Sequence, residues 1–155
     1  MKFTTHKDID APIDYVFQKV ANFDGYERQA LRRGAQVDRV DGMGPVRVGS
    51  AWDVAFTFRG KNRNLRATVT TIAAPEALEI DTVATGLNSV TKVDLIALSP
   101  KTTRVAVSVT MTAKSLSARL LLQSLKLAKG NLNKRFAGRV DDQVGGIEAD
   151  YRRGS

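Results

Sequence analysis

The sequence predicts an α+β protein: an antiparallel sheet of about seven strands closed around a long C-terminal helix, with two short helices after the first strand. Three observations carry this reading. From Ser115 to about Val144 apolar residues recur at the helical period, so that Ala118, Leu121, Leu122, Leu125, Ala128, Leu132, Phe136 and Val140 share one stripe. Upstream segments instead alternate apolar and polar residues at period two and are joined by short turns, the signature of antiparallel strands. Two short helical stretches separate the first two strands, where a doubly wound fold would need a crossover helix. The C-terminal stripe requires an apolar partner, and a sheet curled around it leaves a hollow suited to a small molecule.

The 155 residues read as one domain, 1–155, long enough to bury a core without covalent staples. With no cysteine, disulfides, thiolate metal sites and cysteine nucleophiles are excluded. The start, MKFTTHKDID, lacks the apolar run of a signal peptide, and no aliphatic block elsewhere spans a bilayer, which gives the expectation of a cytoplasmic protein. The net charge of +8 is unevenly placed. From Lys101 to Val140 there are nine basic residues and no Asp or Glu, so this block alone exceeds the excess of the whole chain. Such a field attracts anions, although a charge count also describes an ordinary solvated face.

In chain order, Lys2 to Ile9 forms the first strand, with Phe3, Thr5 and Ile9 on one side and His6 on the other. His6 is the single histidine, so a multi-histidine metal site is ruled out and an exposed, neutral role is expected. Asp10-Ala11-Pro12 opens a short helix that stops around Asn22 to Gly25, and a second runs from Tyr26 to Arg33, ended by Gly34. Gln36 to Val40 makes a strand, broken by Asp41-Gly42-Met43-Gly44-Pro45. The clearest strand follows, Trp52, Val54, Phe56 and Phe58 alternating with Asp53, Ala55, Thr57 and Arg59. After a polar turn over Gly60 to Asn64, Leu65, Ala67 and Val69 continue the inward face. Turns at Ala74-Pro75-Glu76, Thr85-Gly86-Leu87-Asn88 and Ser99-Pro100-Lys101-Thr102 separate strands around Ile80, Val93 and Val107. The final helix is either continuous or joined near Gly130, with Gly145-Gly146 as its stop and a partly frayed tail from Ile147 to Ser155.

Ile9-Asp10-Ala11-Pro12 with Val16-Phe17, then Phe23 and Tyr26, together with the element order, resembles the START-like (SRPBCC) superfamily of polyketide cyclase/dehydrase-like, lipid-transfer and birch-pollen-allergen-type proteins. The resemblance implies a helix-grip fold, with the sheet around the terminal helix, and an internal cavity for a hydrophobic or amphipathic molecule such as a lipid, isoprenoid or polyketide. Coenzyme Q-binding members carry an aromatic-plus-proline pattern after the tyrosine, where this chain has Gln29-Ala30-Leu31, which lowers that branch.

Alternation then gives an expected lining: Trp52, Val54, Phe56, Phe58, Val69, Ile80, Val93, Leu95, Val107 and Val109 from the sheet, and Leu125, Leu132 and Phe136 from the helix. Taken singly, each reads as core. As a set they line an apolar cleft to which Tyr26 and Trp52 add a polar atom each.

Three functions fit. The first is a non-catalytic carrier or sensor of a hydrophobic ligand, with no cofactor. The second is a cyclase or dehydratase, which needs a positioned acid or base; Tyr26, Asp53 and Arg59 are nominal candidates, and alternation turns the two charged ones outward, so no catalytic residue is assigned. The third is peripheral contact with an anionic membrane or acidic partner through Arg119, Lys126, Lys129 and Lys134. Leu116, Leu120 and Leu127 lie beside these cations if the helix is continuous, whereas a break before Gly130 would let them pack inward. Nucleic acid is disfavoured, since Phe136 is the one aromatic in the basic block. Walker loops, a Ser-His-Asp set and a dinucleotide fingerprint are absent.

Overall fold

The computed structural model describes residues 1–154. In chain order the elements are β1 (Lys2–Ile9), α1 (Ile13–Val20), α2 (Phe23–Arg32), β2 (Gln36–Arg39), β3 (Ala51–Phe58), β4 (Lys61–Ala73), β5 (Ala77–Ala84), β6 (Leu87–Ser99), β7 (Thr102–Ala113), α3 (Leu116–Leu127) and α4 (Lys129–Arg152). The strands form one sheet in the order β1-β7-β6-β5-β4-β3-β2, every neighbouring pair antiparallel. Alternation predicts this well, because hairpin connections leave antiparallel pairing as the only short route. Register shifts at Val69/Thr71 and Ala97/Ser99 interrupt the long strands.

One apolar cluster runs through the molecule, joining Ile9, Val16, Phe17, Trp52, Val69, Leu78, Leu95 and Val105 to Val144 and Ile147 of α4. α4 packs along β1 and against α1. The corner between β1 and α1 is tied to the sheet by the buried Thr103 hydroxyl, which donates to the Ala11 carbonyl at 2.8 Å.

The sequence expectations are corrected at four places. Asn22 starts α2 rather than stopping α1: its Oδ1 accepts from the Gly25 N–H at 3.1 Å, the capping use of an asparagine at a helix N-terminus. The turn between β3 and β4 is only Arg59-Gly60, both with positive φ, which is the two-residue hairpin geometry that a glycine in second place favours; β4 therefore begins at Lys61. Of the two alternatives for the C-terminal helix the structure has the joined one, two helices meeting at Ala128 close to Gly130, and the third correction concerns the leucines of the first. Even with that break, Leu116, Leu120 and Leu127 stay in solvent instead of packing inward.

The fourth correction concerns the end of α4, which passes through Gly145-Gly146 to Arg152. Each glycine costs about 1 kcal/mol in a helix relative to alanine. Against that, the stripe Val140, Val144, Ile147 and Tyr151 lies in or against the core, and a fully buried Val or Ile contributes about 1.5–3 kcal/mol. Tertiary burial wins, and the helix continues.

Candidate functional site

Between α2 and the sheet lies a cavity of about 240 Å³ whose surface is almost wholly apolar, lined by Phe23, Tyr26, Glu27, Ala30, Val37, Trp52, Val54, Ala67 and Ile80. The helical contribution is one face: Phe23, Tyr26, Glu27 and Ala30 stand at i, i+3, i+4 and i+7 of α2. The sheet contributes alternate residues of β3, Trp52 and Val54, with single residues from β2, β4 and β5. Three aromatic rings pack the inner end. Phe23 stacks on Trp52 with centroids 5.2 Å apart and meets Tyr26 edge-on at 6.0 Å.

The polar groups at this site are few and mostly committed. Tyr26 donates its hydroxyl proton to the Val20 carbonyl at 2.6 Å, and burial pushes the phenol up to about 12. Its oxygen retains a lone pair for a ligand donor. Glu27 supplies the only carboxylate in the lining. Trp52 is held from the β2 side by Arg39, whose guanidinium lies 5.7 Å from the indole centroid. Arg39 is itself fixed by Asp41, with contacts of 3.0 and 3.2 Å. The Ser50 hydroxyl donates to the same carboxylate at 2.9 Å, and the Ala51 N–H donates at 3.3 Å. The Arg39 guanidinium first, then these donors, hold the Asp41 carboxyl well below the usual carboxylate range. The network clamps the glycine-rich segment after β2 onto the start of β3, fixing the Trp52 wall.

The expected lining residues are distributed as follows. Tyr26, Trp52, Val54 and Ile80 line this cavity. Val69 and Leu95 are buried in the common core, with Val93 and Val107 packed against it. Val109 is half-buried on β7. Leu125 and Leu132 are half-buried on α3 and α4, and Phe136 packs on Phe3 of β1, centroids 6.0 Å apart. Further along β3 the cover gives out: Phe56 borders a separate polar hollow, and Phe58 is exposed with the Arg59 and Arg63 guanidinium groups over its ring. Asp53 is on the outer face, paired with Arg66 at 2.7 and 2.8 Å. Arg119, Lys126, Lys129 and Lys134 are all exposed. Phe23, Glu27, Ala30, Val37 and Ala67 were not expected as site residues. The i, i+3, i+4, i+7 spacing on α2 was the signal for the first three.

A wider hollow of about 750 Å³ lies near the chain end, lined by Asp10, Tyr15, Lys101, Tyr151 and Arg152 among others. Its rim is charged, with Arg152 reaching Asp10 at 3.5 Å and Glu148 at 3.7 Å, so it is a solvated groove and offers less to an apolar ligand. Among the described residues no three His, Asp or Glu side chains converge as metal ligands, and no helix is long and apolar enough to cross a membrane.

Solved structures share this architecture along nearly the whole chain. The Zhui aromatase/cyclase from Streptomyces sp. R1128 superposes with a TM-score of 0.63 at 11% identity, covering 96% of this chain and 93% of that one. Norcoclaurine synthase from Thalictrum flavum, in complex with dopamine and hydroxybenzaldehyde, gives 0.66 at 10% identity, covering 97% and 87%. Ara h 8.0201 gives 0.56 at 20% identity, covering 90% and 97%. The chain has the helix-grip fold. Helix-grip structures are its neighbours, at identities that speak for the fold alone. No protein-family model matches the chain, and no curated protein matches it in sequence. Within the helix-grip frame, the cavity of this chain is walled by α2 and strands β2 to β5, with no residue of α3 or α4 in its lining.

Proposed function

We propose that this chain binds a compact, mainly apolar molecule of one or two rings in the cavity between α2 and the sheet. The observation that carries the proposal is the cavity itself: about 240 Å³, apolar, and walled by Phe23, Tyr26 and Trp52. Volume decides the ligand class. An apolar cavity of about 150 Å³ holds benzene, and drug-sized ligands occupy about 300–1,000 Å³, so this space suits a bicyclic ring system better than a long acyl or isoprenoid chain. Of the ligands expected from sequence, a polyketide-like aromatic fragment fits best. The neighbours include an aromatase/cyclase and a synthase in complex with two ring compounds, which supports the same class.

Trp52 is the only tryptophan and lines the cavity, so it reports binding directly. Titration with 2-naphthol should change its emission saturably. Ala30→Leu and Ala67→Leu, which fill the space from opposite walls, should weaken the probe at least about tenfold, the equivalent of about 1.4 kcal/mol. Unchanged affinity in both folded variants would reject the site. A second reading, acid-base catalysis on a bound ring, is favoured by one observation: the Glu27 carboxylate stands in the wall beside Tyr26. On that reading Glu27→Gln keeps 2-naphthol binding while abolishing turnover of a polyketide-like substrate; equal turnover would remove it.

A further inference from the structure

Three segments that expose large apolar side chains emerge at one end of the sheet. The β3–β4 hairpin overhangs its neighbours there: Phe58 pairs with Lys61, whereas β5 reaches only as far as Leu65, which faces Ala84. Ala84 pairs with Leu87 and Leu87 with Ala113, so the β5–β6 turn and the end of β7 lie at the same level. α3 starts from that level, since the Lys114 N–H donates to the Gly86 carbonyl at 2.7 Å. The C-terminus of α2 arrives there too, because Gly34 and Gln36 share a hollow with Phe56, Asn62 and Arg63.

At this end Leu31, Phe58, Leu116, Leu120 and Leu127 are all exposed, Leu116 to 73% and Leu127 to 93%. Leu116, Leu120 and Leu127 stand at i, i+4 and i+11, one stripe along α3, with Arg119 and Lys126 flanking it. Each of the three segments lies in a stretch without acid: no Asp or Glu occurs from Arg28 to Val37, from Val54 to Pro75, or from Lys101 to Val140. Arg32, Arg33, Arg59, Lys61, Arg119 and Lys126 pair with no carboxylate among the described residues, since the ion pairs all involve other cations.

We infer that this end docks on an anionic lipid bilayer, with Leu116, Leu120, Leu127 and Phe58 entering the interface and the surrounding cations meeting lipid phosphates. Apolar side chains ringed by unpaired cations are the two components of peripheral membrane binding, and neither explains the other as a fold requirement. Nucleic acid would use the cations but leave the leucines without a role, because bases stack on aromatic rings and not on aliphatic ends. Ala30 lines the cavity and is followed on α2 by Leu31, so the docked end adjoins the proposed binding site.

The test is co-sedimentation with vesicles of phosphatidylcholine alone or mixed with phosphatidylglycerol, at low and high salt. The protein should sediment with the mixed vesicles, be released by salt, and ignore the neutral ones. Each interfacial cation is worth roughly fivefold, so Arg119→Glu with Lys126→Glu should cut binding more than about tenfold. Leu116→Ser with Leu127→Ser, both largely solvent-facing and so harmless to folding, should cut it comparably. All variants should keep 2-naphthol binding, which separates this proposal from the cavity assignment. Equal binding to neutral vesicles, no binding to either kind, or leucine variants that bind as wild type while duplex DNA displaces the vesicles would each overturn it.

Discussion

Two side chains, Tyr26 and Asp41, set the character of the site. Tyr26 is a wall residue whose hydroxyl is already spent on the Val20 carbonyl, and its phenol is pushed up to about 12 by burial. A folded-state value raised above the ordinary 10.0 means that the neutral phenol stabilises the fold below that pH. The contribution is lost as pH rises through the folded value. The phenolate difference spectrum between the protein and Tyr26→Phe should therefore contain a transition near 12; a transition at the ordinary tyrosine value would show that the ring is wet. Asp41 works in the opposite direction. Its carboxyl is held low by Arg39, so what it adds is present above the ordinary carboxylate value and declines as pH falls toward its folded one. Neither role was legible in sequence: a tyrosine's partner and an aspartate's clamp depend on which loop folds back on which strand.

At the scale of elements, α4 carries the sharpest contrast between local propensity and packing. The glycine pair at 145–146 predicts a stop, and the buried Ile147 one residue later explains why there is none. Ile147→Ala should destabilise the protein by roughly 2–5 kcal/mol, the range for removing a buried large aliphatic, read from urea unfolding. A change under about 0.5 kcal/mol, typical of exposed sites, would mean that the last turns contribute nothing. The strands were readable because Trp52, Val54, Phe56 and Phe58 alternate without exception. The helix boundaries were less so, since Asn22 caps as readily as it terminates and only the Gly25 N–H decides which. The turn at Arg59-Gly60 was hidden by the polar run after it, which proved to be the overhanging start of β4.

On the scale of the whole molecule, the helix-grip arrangement followed from element order, while the position of its cavity did not. Alternation names the face of a strand but not what covers it. Trp52 and Val54 lie under α2, whereas Phe58, on the same face, runs past the end of the cover. The sheet edge at β1 is taken by α4, which leaves α2 to close the space over β3 to β5. The same geometry gathers the acid-free segments at one end, so a charge bias visible in sequence acquires a direction only in the fold. The most direct measurement is a methyl-detected NMR titration of the whole chain with 2-naphthol. The account predicts saturable shifts concentrated on Ala30, Val37, Val54, Ala67 and Ile80, with Leu125 and Leu132 still. Shifts centred on Leu125 and Leu132, or scattered over Leu116, Leu120 and Leu127 without saturation, would contradict it.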